Sequence, residues 1–256
     1  MPDIIPITKV EFADKSWRRS DNYSFTANDA VCPLTQQELF TAVLSLPMGF
    51  IVKEDETFPV AILGLKSGQN LLIDAQGKWL GRYIPAAYRG YPFTLGQTKD
   101  GQQLLCFDAE SGLMTTGEGG ESFYDDEGEP TDDIKGILDF MSNVAENRKL
   151  TKQICAVLQE KNLIQPWPIK IKIDDNETVV EGIYRIDETA LNDLDKDDFE
   201  DIRKVGALPL IYSQLLSMQH LQSLVTLASK QSQPKVEEIN IDKIFGEDSG
   251  DQLFKF

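Results

Sequence analysis

The chain has 256 residues, of which 41% are hydrophobic and 9% aromatic, and it carries 42 Asp and Glu against 25 Lys and Arg, a formal charge of -17. Polyanion binding needs clustered cations to neutralise phosphates, so this balance argues against nucleic acid as a partner and disfavours an anionic membrane surface. The apolar content suffices for a substantial core, and the length suits one large domain or two small ones.

In chain order, the first 12 residues have Asp3 and Pro6 early and no cationic leader before an apolar stretch. They do not read as a secretory signal, and a bacterial-type cytoplasm is the expected location. Pro33 to Leu39 carries a capping box: Thr35 caps a helix start while Glu38 reaches back, with Leu34 and Leu39 at the staple positions. The expected helix runs from Thr35 to Leu46, where Pro47 stops it. Gly49 to Lys53, Pro59 to Lys66 and Asn70 to Asp74 read as strands of an antiparallel meander. Ala75-Gln76-Gly77 supplies a turn, and Gln103 to Asp108 a further strand after the Lys99-Asp100-Gly101 turn.

From Asp132 to about Asn162 apolar residues recur every three or four positions, which predicts one long helix, or two with a break near Asn147. Ile169, Ile171 and Ile173 alternate with Lys170 and Lys172, and Val179, Val180 and Ile183 to Ile186 follow, predicting a β-hairpin with a wet face. Leu191 to Lys204 and Leu208 to Ser229 read as two further helices, the second apolar and therefore largely buried. The expected fold is α+β, one domain over 1–229: an antiparallel β-rich half (1–131) packed with a mainly helical half that carries the hairpin (132–229). Residues 230–256 read as a polar linker and an apolar-spotted tail. The tail either packs back on its own domain or docks on a partner through Ile244, Phe245, Leu253 and Phe254.

The residue inventory narrows the chemistry. One histidine, His220, lies in an apolar stretch and reads as structural, so sites needing two or three imidazoles are not expected. Cys32, Cys106 and Cys155 are far apart and read as reduced, buried thiols. No glycine-rich phosphate loop follows a strand. The Asp193, Asp195, Asp197 series begins like a calcium loop, but Asp198 stands where glycine is required and Lys204 where a bidentate Glu belongs. Neither a cofactor nor a metal is expected.

One segment stands above background. Trp79 to Phe93 places five aromatics in 15 residues, interleaved with Arg82 and Arg89 and stiffened by Pro85 and Pro92. Amphipathic rings beside arginines suit a peptide- or protein-binding face, formed by Trp79, Arg82, Tyr83, Tyr88, Arg89 and Tyr91, with Trp79, Arg82, Tyr88 and Arg89 as the exposed members. The alternative use of such rings is to fill the gap between sheet and helix.

Several ordered blocks resemble the SapC family. They are Tyr23-Ser24-Phe25 leading to Pro33-Leu34, Pro59 to Leu65, Asn70 to Asp74, Gly77-Lys78-Trp79, Tyr83-Ile84-Pro85, Arg89 to Phe93, Asp126 to Pro130, Gly182 to Glu188 and Ile211 to Ser217. The resemblance covers roughly Trp17 to Leu227. It implies an association with surface-layer protein export and an accessory role, and it supplies no catalytic residues to carry over.

The expected function is thus a non-enzymatic protein- or peptide-binding accessory module, serving a polypeptide-modifying or export partner, with no nucleic acid bound and no membrane insertion. The alternative is an enzyme whose site is built from Tyr, Arg and carboxylates such as Tyr184, Arg185 and Asp187, where Arg185 would equally serve as a structural partner of Asp187 or Glu188. The charge itself is localised. Glu118 to Asp133 holds eight acids and no base, and Asp187 to Asp201 holds eight acids and one lysine, so the remaining chain has 26 acids and 24 bases.

Overall fold

The computed structural model describes residues 3–98, 101–116, 119–173 and 176–232. The N-terminal half is built from antiparallel strands. β1 (Ile4–Pro6), α1 (Lys9–Phe12), β2 (Lys15–Trp17) and β3 (Val31–Pro33) lead to α2 (Leu39–Ala42) and the hairpin of β4 (Met48–Lys53) and β5 (Glu56–Ile62). Both turn residues of that hairpin, Glu54 and Asp55, have positive φ, as a two-residue turn matched to strand twist requires. A one-turn helix, α3 (Ala86–Arg89), precedes β6 (Phe93–Gln97) and β7 (Gln103–Asp108), followed by β8 (Met114–Thr116) and β9 (Glu121–Ser122).

The C-terminal half begins with α4 (Asp132–Glu160), an unbroken helix of 29 residues. The Thr131 hydroxyl caps it by accepting from Ile134 N–H, and Asp132 and Asp133 complement the helix dipole in its first turn. Asn147 does not interrupt it, because its side-chain N–H donates to Asn143 O one turn back. β10 (Ile164–Pro166), the hairpin of β11 (Ile169–Ile173) and β12 (Asn176–Val180), and β13 (Tyr184–Ile186) follow, then α5 (Glu188–Asn192), α6 (Lys196–Lys204), α7 (Leu208–Ser217) and α8 (Leu221–Ser232). The fold is therefore α+β, with the antiparallel sheets concentrated in the first half and the helices in the second.

The strands form a five-stranded sheet of order β10-β13-β4-β5-β3, two three-stranded sheets of order β1-β7-β6 and β8-β2-β9, and the β11-β12 hairpin. Two apolar clusters result. The larger holds the five-stranded sheet against α4 and α7 through residues such as Phe50, Ile62, Leu158, Ile186, Leu210 and Ile211. The smaller gathers Phe12, Trp17, Phe93, Phe107, Phe123 and Ile134 in mostly edge-to-face ring contacts.

Five local expectations need correction. Asn70 to Asp74 is not a strand: the buried Asn70 amide donates to Thr26 and its Oδ1 accepts from Leu72 N–H, curling the run into turns with only an Ile73–Trp79 bridge. The helix from Thr35 starts at its cap, but only Leu39–Ala42 is α-helical and Gln36–Glu38 is 3₁₀. Tyr184–Ile186 leaves the predicted hairpin and joins β10 and β4 in the central sheet. Leu191 to Lys204 is two helices, because Asp187 and Asp195 each cap a new N-terminus. The 208–229 stretch likewise divides into α7 and α8 at a 3₁₀ turn over Met218–His220, and α7 exposes Tyr212 and Leu216 while burying Leu210 and Ile211. The Lys99-Asp100-Gly101 turn lies partly, and the tail anchors Ile244, Phe245, Leu253 and Phe254 wholly, outside the described residues.

Candidate functional site

The aromatic segment joins the two apolar clusters. Its first half belongs to the interior: Trp79 is 7% exposed, and its indole N–H donates to Tyr83 O at 2.9 Å. Tyr88 is 8% exposed, and its hydroxyl donates to Asp29 Oδ2 at 2.9 Å. The expectation that Trp79 and Tyr88 face solvent is therefore wrong for both; a large ring lowers free energy most by leaving water, and each has found a partner for its polar tip. Arg82 and Arg89 are exposed, and Tyr83 and Tyr91 are half-buried.

A buried carboxylate fixes this segment. Glu38 Oε2 accepts from Thr35 N–H and the Thr35 hydroxyl, while Oε1 accepts from the Tyr83 hydroxyl and from Ala86 N–H. The capping-box residue thus spends one oxygen on its own helix and the other on the entry to α3. Burial, and next the charge of Glu38, push the Tyr83 hydroxyl well above the ordinary phenol range.

Tyr88, Arg89 and Tyr91 line a cleft of about 430 Å³ together with Trp17, Phe25, Phe93 and Phe140. Phe25 and Tyr91 stack with centroids 3.8 Å apart and planes 13° off parallel, and Tyr88 meets Phe25 edge-on at 6.0 Å. Trp79, Arg82 and Tyr83 are outside the lining, although Tyr83 supports it from behind. Two cations border the cleft. Arg19 lies over Trp17 and is neutralised by Glu121 at 3.3 Å and Asp133 at 3.2 Å. Arg89 lies 5.7 Å from the Tyr83 ring and 5.2 Å from the Phe140 ring, with the Tyr83 hydroxyl 3.4 Å away, and has no carboxylate partner among the described residues.

Phe25 and Phe140 were not legible as cleft residues. Phe25 belongs to a short 3₁₀ turn with no periodicity, and Phe140 sits on a helix whose apolar stripe it merely continues. Their one sequence signal is size: both are large rings, Phe25 set between Ser24 and Thr26 and Phe140 between Asp139 and Met141.

The other candidate residues are not brought together. Tyr184 pairs with Phe50 and Pro166 in the central sheet, and Asp187 accepts from Thr189 and Ala190 N–H as a helix cap. Arg185 makes no ion pair with Asp187 or Glu188; its Nε is buried without a partner. His220 Nε2 lies 2.8 Å from Val43 O, and since a carbonyl only accepts, this nitrogen carries the proton and the ring ties the α7–α8 link to the end of α2. The acids of 193–201 are likewise in structural use: Asp195 caps α6, and Asp198 and Asp201 both receive Lys161. Among the described residues no group of three His, Cys, Asp or Glu is disposed to hold a metal ion, and no helix is long and apolar enough to cross a membrane.

The family model described as SapC matches residues 7–224. The chain belongs to the SapC family. The match takes in the buried residues of the smaller apolar cluster, those of the larger one except Ala228, the aromatic segment and all of α4, so the cleft lies wholly within the family domain. No curated protein and no solved structure matches the chain.

Proposed function

We propose that this SapC-family protein is a non-enzymatic polypeptide-binding accessory module that acts in the cytoplasm beside a polypeptide-modifying or export partner, and that the aromatic cleft is its binding site. The observation that carries this reading is Arg89: a guanidinium held against two rings, with no carboxylate partner among the described residues of a chain of charge -17, at the edge of a cleft lined by seven aromatic side chains. A ligand side chain with a flat apolar face fits against Phe25 and Tyr91, and a neighbouring ligand carboxylate pairs with Arg89. Large rings with few rotatable bonds are suited to such contacts because little conformational freedom is lost on binding.

The test is a random dodecapeptide library displayed on phage and selected on the full chain, with enriched peptides measured by fluorescence anisotropy against Arg89→Ala and Tyr91→Ala. Both substitutions are at partly or fully exposed positions, so the fold is kept. The reading holds if affinity falls about tenfold or more with an unchanged melting temperature. It fails if neither substitution matters.

A further inference from the structure

β6 is the last strand of its sheet, with order β1-β7-β6. Its register with β7 runs from Phe93 opposite Phe107 to Gln97 opposite Gln103, and just beyond its two ends Asp108 N–H binds Pro92 O and Thr98 N–H binds Gln102 O. Hydrogen-bonded and non-bonded pairs alternate along an antiparallel ladder. Thr94 and Gly96 therefore turn their backbone groups to β7, and Leu95 and Gln97 turn theirs to the open edge.

A groove of about 340 Å³ is bounded by β6 on one side and by Met141, Val144, Ala145, Arg148 and Lys149 of α4 on the other. The three apolar residues recur at helical spacing and give the groove an apolar wall, and the two cations follow at one end. Arg148 and Lys149 are exposed and have no ion pair among the described residues. Gly90, which lines the aromatic cleft, packs closely on Met141, so groove and cleft are neighbours along α4 that share only Phe93 in their linings.

We infer that this groove takes an extended polypeptide segment that adds to β6 as a fourth strand, sets alternate apolar side chains against Met141, Val144 and Ala145, and places a carboxylate at Arg148 and Lys149. The inference rests on the proposed polypeptide-binding role and supplies a mode of recognition for it. Unpaired strand amides give affinity without regard to sequence, whereas the wall and the cationic end give direction and selectivity.

The probe is the set of dodecapeptides enriched on the full chain, tested against two variants. Leu95→Pro removes an edge N–H that serves no ladder bond, a substitution edge strands tolerate. Arg148→Glu with Lys149→Glu reverses exposed charges and leaves the backbone intact. Each is expected to weaken binding about tenfold or more, and the enriched peptides are expected to share an acidic residue beside alternating apolar positions. Amide exchange on adding peptide is expected to slow at Leu95 and Gln97. If Arg89→Ala or Tyr91→Ala abolishes binding while both groove variants bind as the parent does, the strand-addition inference is overturned and the cleft reading stands. If neither set matters, or no peptide is enriched, both fall.

Discussion

Oε1 of Glu38 lies 2.9 Å from the Tyr83 hydroxyl, 45 residues along the chain, and also receives Ala86 N–H at 2.7 Å. One buried acid therefore locks the start of α3, and through Tyr83 it fixes the surface on which Arg89 rests. The carboxylate has four donors and little water, an arrangement stable only while all of them are accepted.

Glu38→Gln puts an amide where only an acceptor fits, leaving buried donors facing a donor. Unfolding in urea is expected to show a loss of roughly 2–4 kcal/mol. Tyr83→Phe removes one donor and costs about 1 kcal/mol, so the two losses differ in size and the larger belongs to the acid. A loss for Glu38→Gln no greater than that for Tyr83→Phe would show that the carboxylate is not the hub.

The thiols give a second check. Burial pushes Cys32 and Cys155 up to about 12, and Cys106 is raised for the same reason. At pH 8 the folded chain then holds almost no thiolate, which is the reactive form. Mass spectrometry after iodoacetamide at pH 8 is expected to find all three cysteines unmodified in the native protein and alkylated in urea. Rapid labelling of Cys32 in the native state would contradict the packing of Tyr88 and Asp29 around it.

Acid sensitivity has a sign. Hydrogen bonds from Arg203 hold Glu200 below its usual carboxylate range, and backbone N–H groups, that of Glu129 first, do the same for Asp125. A depressed carboxylate contributes stability above its unfolded pKa and loses it as pH falls through the folded value. The stability gap between the parent chain and the Glu200→Gln, Asp125→Asn double variant is therefore expected to be constant above about pH 6 and to shrink below about pH 4. Asp125 is exposed and Glu200 only partly buried, so the gap is small, and charge repulsion among the remaining acids cancels in the comparison. A gap that widens on acidification would refute the assigned hydrogen bonds.

Periodicity was most informative where packing and pattern agree. The stripe from Ile134 to Leu158 gave α4 as a helix from Asp132, and Gln103 to Asp108 gave β7 with its observed bounds. Side-chain hydrogen bonds overrode pattern elsewhere: Asn70 turned an apolar run into a bend, and Asp187 and Asp195 cut a helical stretch in two. β6 is hidden in the sequence because Phe93, the residue that begins it, closes a run of aromatics, and the stretch from Thr94 to Gln97 that follows has one large apolar residue. Of the site, Tyr88, Arg89 and Tyr91 were legible as a cluster of ring and cation. Which rings face the cleft was not, because that is decided by Glu38, Phe25 and Phe140, all distant in sequence from the segment they complete.

The most direct test of the central claim is the affinity of a library-selected peptide for the parent chain and for Arg89→Ala, both folded to the same melting temperature. The account predicts a loss of about tenfold or more, and a fall of affinity with added salt that is shallower in the variant than in the parent, because a ligand carboxylate pairs with the Arg89 guanidinium. Equal affinities with equal salt dependence would contradict it.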